Sequence, residues 1–493
     1  MLSLQLVYML GGGKFALADL KLEAGLFYFL IFATVSFSPD FAHLNLRLLS
    51  ESPYFCMGYP FSTDSPFATY SQIGGIPLHV TEIFIGFILG AMVVRRWRKK
   101  DAVFKRTPLD LWLGLWVLVG LFELFRGILS HGRVLLAARD FALVYYVIFF
   151  YLAREICSRW QDVHRLMVAF VAGTILRIGV ADWYYVFDVN YRPDRWVDWS
   201  TFGRYMSAIN GAYILIAVLI GVTLWQTVLQ KRRGILFLYL SVAGISLVLT
   251  QSRSLLLALV IGMGVLAISV PVFGALKPLA FHRFVVGTLL AGSLLWLMRV
   301  GLGPSTPAPF LSPLRFLLTK SATTVRIKPG AAPDWTGTAR FRHDAWLEAW
   351  RRFSANPVFG EGFGKKFEFY DTGQRRWWIS DVRPHNTYLT ILYKMGVTGL
   401  AVFMVIHLVF YLNVYRALRR APSQSARSMR LGFAAAFLGF QVYGFFNLLL
   451  ESPFLAVGYW SLMGVIFSLS CFGEVVDHAD SRGTLTTAQE LKI

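Results

Sequence analysis

The sequence predicts an all-α polytopic membrane protein with about twelve transmembrane helices and one large outer loop containing short amphipathic helices. Three observations carry this prediction. The 493 residues are 56% hydrophobic, and the mean hydropathy is +0.54, far above that of an ordinary soluble protein. Apolar runs near bilayer-spanning length recur along almost the whole chain. Short basic loops fall at alternate connections between them, which is the positive-inside pattern.

Taken in order, the apolar runs place spans at 22–38, 78–94, 108–125, 135–153, 164–183, 206–229, 234–251, 254–275, 284–302, 387–414, 431–450 and 454–472. The first run is short, and Gln251-Ser252-Arg253 alone interrupts 234–275. Arg95, Arg96, Arg98, Lys99 and Lys100 follow the second span, and Arg154 and Arg159 follow the fourth. Lys231 to Arg233 follow the sixth, Lys277 and Arg283 the eighth, and Arg416, Arg419 and Arg420 the tenth. All lie on one side if both termini are cytoplasmic. The chain then divides into an N-terminal transmembrane region over 1–302, an outer loop over 303–386, a C-terminal transmembrane region over 387–475 and a cytoplasmic tail over 476–493. Two further segments, 39–77 and 184–205, also fall outside.

Composition excludes several classes. Cys56, Cys157 and Cys471 have no close spacing, so they form neither a disulfide framework nor a zinc site. The formal charge of +20 is distributed as loop charges of a membrane protein, not as a nucleic-acid patch. The first residues lack the order of a cleaved signal peptide and are expected to be retained.

The outer loop 303–386 carries thirteen basic residues against seven acids. Long loops cross regardless of charge; attraction to a phosphate-bearing substrate is the functional alternative. Within the loop, Phe341, Trp346, Trp350 and Phe353 recur at helical spacing among Arg and Asp, which predicts an interfacial amphipathic helix over 340–353. Asn356-Pro357 ends it. Gly360-Glu361-Gly362-Phe363-Gly364 follows; no strand–helix unit surrounds it, so it is no dinucleotide fingerprint, and a plain turn competes with a phosphate-cradling nest.

Three residues at outer span ends are candidates for chemistry. His385, in Arg383-Pro384-His385-Asn386, sits at the start of the tenth span, where unpaired backbone N–H groups disfavour imidazolium and keep the ring neutral, as a base or acceptor requires. A simple interfacial anchor is the bland alternative. Arg253 occupies a tight polar turn between two spans, where an arginine has a partner, a task, or snorkels to the interface. Arg204 immediately precedes the sixth span and admits the same anchor reading. Arginine suits pyrophosphate because its planar fork makes paired charge-assisted bonds. The outer side has no Asp-x-Asp pair and no His/Cys cluster, which favours a metal-independent reaction without cofactors, arginines taking up the charge.

At these residues the chain resembles the bacterial O-antigen ligase and O-antigen polymerase superfamily, over roughly 200–470. The resemblance rests on Thr250-Gln251-Ser252-Arg253-Ser254-Leu255; on Arg342-His343-Asp344-Ala345-Trp346 running to the 356–364 turn; on His385-Asn386, then nine intervening residues, then Gly396-Val397-Thr398-Gly399; and on Asn447 to Pro453 with Trp460. Lys394 departs from the pattern, since many polymerases carry an acid just before the glycine. The resemblance implies an inverting glycosyltransferase of the bacterial inner membrane with its site facing the periplasm. The donor would be a glycan on undecaprenyl pyrophosphate and the acceptor a hydroxyl of lipopolysaccharide core or a growing glycan. His385 would activate or orient that hydroxyl. Arg253 and Arg204 would bind the pyrophosphate, with Arg342, Arg383 and Asn386 as further donor- or sugar-binding residues. Trp377 and Trp378 would stack on sugar or pack at the interface. A ligase and a polymerase fit the motif equally. A polysaccharide or lipid transporter is the alternative from another class, disfavoured because no internal repeat is evident.

Overall fold

A computed structural model describes residues 21–36, 72–73, 76–77, 80–99, 106–184, 208–224, 233–250, 252–273, 337–372, 376–380, 384–451 and 453–471. The helices are α1 (Leu22–Ser36), α2 (Val80–Lys99), α3 (Asp110–His131), α4 (Val134–Tyr145), α5 (Ile148–Ile156), α6 (Trp160–Tyr184), α7 (Ala208–Leu224), α8 (Arg233–Leu249), α9 (Arg253–Phe273), α10 (Gly337–Ala355), α11 (Thr387–Arg419), α12 (Gln424–Gly444) and α13 (Pro453–Cys471). Each expected span coincides with helix except 284–302, which lies outside the described residues. Among the described residues four stretches are long and apolar enough to cross a membrane: Asp110–His131, Leu136–Ile156, Trp160–Ala181 and Thr387–Arg419. Leu22–Ser36, Gly211–Leu224, Arg233–Leu247, Ser254–Ser269 and Phe454–Ser470 are apolar but shorter. The protein is a mostly helical membrane protein; a set of twelve spans is more than these lengths establish.

The segment expected to contain short amphipathic helices also contains a pair of strands. Residues 367–371 and 376–380 form antiparallel strands β3 (Phe367–Asp371) and β4 (Arg376–Ser380), pairing Phe367 with Ser380 and Asp371 with Arg376. The signal was present in the sequence. Phe367, Phe369 and Asp371 alternate with Glu368 and Tyr370, and the former three are the buried ones. A second, minimal pair joins β1 (Gln72–Ile73) and β2 (Ile76–Pro77).

The expected amphipathic helix over 340–353 exists as α10, longer by a few residues at each end. Ala345 and Ala349 pack against Phe367, Phe369 and Tyr393 in a small separate core. Arg352 staples this unit: it reaches Glu348 at 2.8 Å, Glu361 at 3.2 Å and the carbonyls of Lys366 and Glu368 at 2.9 and 3.1 Å. Several of the basic side chains that follow the apolar runs are paired and not merely solvated. Arg95 meets Glu23 at 2.8 Å, and Arg96 and Arg154 meet Glu155 at 2.7 and 2.6 Å.

The feature that positions everything near the outer end is a break in α11. Gly396 has φ +67° and ψ −167°, far from helical. In an unbroken helix Val397 and Thr398 would donate to the carbonyls of Tyr393 and Lys394. Instead those carbonyls accept from Glu361 at 2.8 Å and Gly362 at 3.0 Å, while Val397 and Thr398 donate to Pro357 and Val358 at 2.9 and 3.2 Å. Two helical bonds are exchanged for four between helix and turn. The approach requires glycine on both sides. A Cβ on Gly396 would fall 2.2 Å from the Val358 carbonyl oxygen, and one on Gly360 2.5 Å from the Lys394 carbonyl carbon.

Gly396→Ala therefore combines forbidden backbone with backbone clash and is expected to cost at least about 3 kcal/mol. The thermal unfolding midpoint in detergent should drop sharply. Gly264→Ala on α9, where a Cβ meets nothing within 4 Å, should leave it unchanged.

Candidate functional site

Four segments converge at the N-terminal end of α11. The first is the start of α11 itself. Asn386 is its N-cap, in extended conformation, and its Oδ1 accepts from the Leu389 N–H at 3.1 Å. Asn386 is buried. Its Oδ1 thus serves as a helix cap, the ordinary use of asparagine before a helix.

The cap forces the preceding residue. His385 has φ +50° and is the one non-glycine residue with positive φ among the described residues. Such a conformation costs roughly 1–3 kcal/mol and persists only where its surroundings fix it. They do. Trp346 Nε1, from α10, donates to the Pro384 carbonyl at 2.7 Å, and the ring of Phe341 lies edge-on to the imidazole at 5.9 Å. The imidazole is half-buried. Burial and then the positive charge of Arg342 push its pKa down to about 4. The expectation of a neutral ring holds, with desolvation and an arginine as the causes.

The second segment is α10, which carries Phe341, Arg342 and Trp346 on the side facing His385. The third is the connection between α12 and α13. Phe445 and Phe446 pack around Trp346 at 5.9 and 6.3 Å. Asn447 then ties two helix starts together. Its carbonyl accepts from Thr387 Oγ1 at 3.2 Å, and its Nδ2 donates to Ser254 Oγ at 3.0 Å. The fourth segment is therefore the turn into α9: Ser254 follows Arg253, and Ser252 Oγ is 3.0 Å from Ser254 Oγ. The backbone of Arg253 begins α9 near the start of α11; its side chain lies outside the described residues, as do Arg204 and Arg383 altogether.

Sequence reasoning missed Glu451 and Thr387. Glu451 Oε2 accepts from Thr387 Oγ1 at 3.0 Å and from the N–H groups of Leu449 and Leu450 at 3.1 and 3.2 Å. It is buried. An acid within an otherwise apolar hairpin is costly and was the available signal.

The glycine turn is explained without a ligand. The N–H groups from Gly360 to Gly364 donate to Asn356, Tyr393, Lys394 and Glu123 carbonyls and to Asp140 Oδ2. No donor in the run is left to cradle phosphate. Lys394, the residue out of pattern, is buried against Asp140 at 3.0 Å and donates to the Lys365 carbonyl at 2.9 Å. The Lys365 side chain itself is half-exposed, 3.3 Å from Glu361. Trp377 is 65% exposed and stands beside Tyr370, ring centroids 5.7 Å apart; the Trp378 side chain lies outside the described residues. Among the described residues no cluster of His, Cys, Asp or Glu could hold a metal ion.

Asn386→Ala should lower stability by about 1 kcal/mol and Asn386→Ser should restore it. Activity following stability in both variants marks a cap; loss of activity in a fully stable Asn386→Ser protein would return this residue to substrate binding. Lys394→Met leaves Asp140 buried without its cation and should cost about 3–5 kcal/mol, read by thermal unfolding.

Residues 238–404 match the family described as O-antigen ligase. The match includes the Arg253 turn, the Arg342–Trp346 helix, the 356–364 turn and His385 through Gly399. It is narrower than the resemblance over 200–470 and contains neither Arg204 nor the Asn447–Pro453 segment. No curated protein matches the chain.

Proposed function

Since residues 238–404 carry the O-antigen ligase domain, we propose that this membrane protein moves a glycan from undecaprenyl pyrophosphate to an acceptor hydroxyl, in the manner of an O-antigen ligase. The single observation behind the assignment of roles is His385: a strained, half-buried imidazole held against α10 next to Arg342, its pKa pushed down by burial and that charge. A neutral imidazole accepts the hydrogen bond of an attacking hydroxyl and takes its proton as the new glycosidic bond forms. The hydroxyl oxygen attacks the anomeric carbon, the bond to the pyrophosphate oxygen breaks, and the configuration inverts. Arg253, at the start of α9, and Arg342 bind the departing pyrophosphate and stabilise its growing charge; Arg204 and Arg383 serve the same anion or the sugar. The exposed Trp377–Tyr370 pair offers a stacking face for sugar. The reaction takes place at the periplasmic face of the inner membrane, both termini being cytoplasmic, and needs no metal. The lipopolysaccharide core is the acceptor in this reading. A polymerase extending lipid-linked repeats would use the same chemistry.

Deletion of the gene followed by analysis of surface glycans separates the two. Lipid-linked polymer accumulating without attached chains marks a ligase, single attached repeats a polymerase, and unchanged glycans defeat both. His385→Ala should abolish transfer while the protein stays folded and inserted. Arg253→Lys keeps charge but loses the fork, worth about 1.5–3 kcal/mol for a charged hydrogen bond, so donor use should fall about tenfold to hundredfold. Lys365→Ala should matter little. The folded imidazole takes its proton only near pH 4, whereas a free one does so near 6.5. Protonation of His385 therefore ends activity as pH falls through about 4, and the acid limb of kcat/KM should lie well below 6.5.

A further inference from the structure

Beside α3 and α11 the 356–360 turn presents two large apolar side chains outward: Val358 is 57% and Phe359 44% exposed. A polar surface loop would face water here. Two observations argue otherwise. First, every carbonyl from Asn356 to Glu361 accepts a hydrogen bond from protein: Gly360 N, Val397 N, Thr398 N and Oγ1, Arg126 Nη2 twice, and His131 Nε2. Irregular backbone is tolerated at membrane depth only when so satisfied. Second, the turn sits well inside the ends of two helices that can span. Phe359 packs on Phe122 at 5.3 Å, and Phe122 precedes the outer end of α3, His131, by roughly 13 Å of helix. Measured along α11, Val397 and Thr398 lie about 15 Å past its outer end. The two rulers agree.

The surface is continuous with the lipid-facing side of α3. Leu111, Leu118, Phe122, Phe125 and Leu129 recur at helical spacing and are 48–86% exposed. With Asp110 at the inner boundary, a hydrocarbon layer of about 30 Å ends near residue 130 of α3, so Phe122 and its partner Phe359 lie within it.

We propose that the 356–360 turn is embedded in the bilayer, Val358 and Phe359 facing the acyl chains of the outer leaflet. This rests on α3 crossing the membrane. The embedded turn anchors the outer unit of α10 and β3–β4 at a fixed depth, and it sets the height of His385 relative to the headgroup layer where a lipid pyrophosphate resides.

Nitroxide labels at Val358→Cys, Leu118→Cys and Arg351→Cys, in full-length protein bearing Cys56→Ser and Cys471→Ser and reconstituted in phospholipid vesicles, test this; Cys157 is buried. The expected result is broadening by oxygen and loss of broadening by a nickel chelate at 358 and 118, with the reverse at 351, whose side chain is 73% exposed. Nickel access at 358 but not at 118 overturns the embedded turn alone. Nickel access at both overturns the crossing of α3 and the proposal with it. Exclusion of both reagents at 358 means protein covers the turn, a second copy included, and also overturns it.

Discussion

A helix that breaks its own hydrogen bonds in apolar surroundings must find replacements, and in α11 they come from residues 357–362. The Tyr393 and Lys394 carbonyls and the Val397 and Thr398 N–H groups are the four groups released by the break at Gly396, and all four are taken up by the turn. Since an unmet backbone group in a buried site costs about 1–3 kcal/mol, turn and break are stable only together. Glycines at 360 and 396 are the condition for the contact, because either Cβ would enter the opposing backbone.

From this interlock the outer architecture follows. The turn fixes the end of α10, Arg352 joins α10 to β3 and to Glu361, and Tyr393 of α11 completes the small core between them. Arg126 and Glu123 of α3, and Asp140 of α4, clasp the turn from the other side. The Lys394–Asp140 pair lies inside this clasp. A buried pair of this sort does little for net stability but penalises any arrangement that separates the charges, which suits a junction where three helices must meet in one register.

The same junction accounts for His385. With α11 held below by the turn and capped above by Asn386, the residue before the cap is placed in the left-handed region and directed toward α10. Asn447 and Glu451 then bind the start of α9 to the start of α11. In the proposed reaction a neutral imidazole and permanently charged arginines would be complementary: the first would receive a proton from a hydroxyl, the others the charge of a departing diphosphate.

The sequence by itself determined the membrane class, the positions of most helices and the amphipathic α10, because hydropathy is a local property; it placed Gly396 eleven residues after His385 without marking it as a helix break. It also contained the alternation of Phe367, Phe369 and Asp371 that makes β3. Tertiary structure alone decided that the glycine-rich turn docks into a broken helix in place of cradling phosphate, that Asn386 is a cap, and that Lys394 has Asp140 for a partner 254 residues away. Each of these is a choice of hydrogen-bond partner across the fold, and such a choice leaves no trace in spacing along the chain.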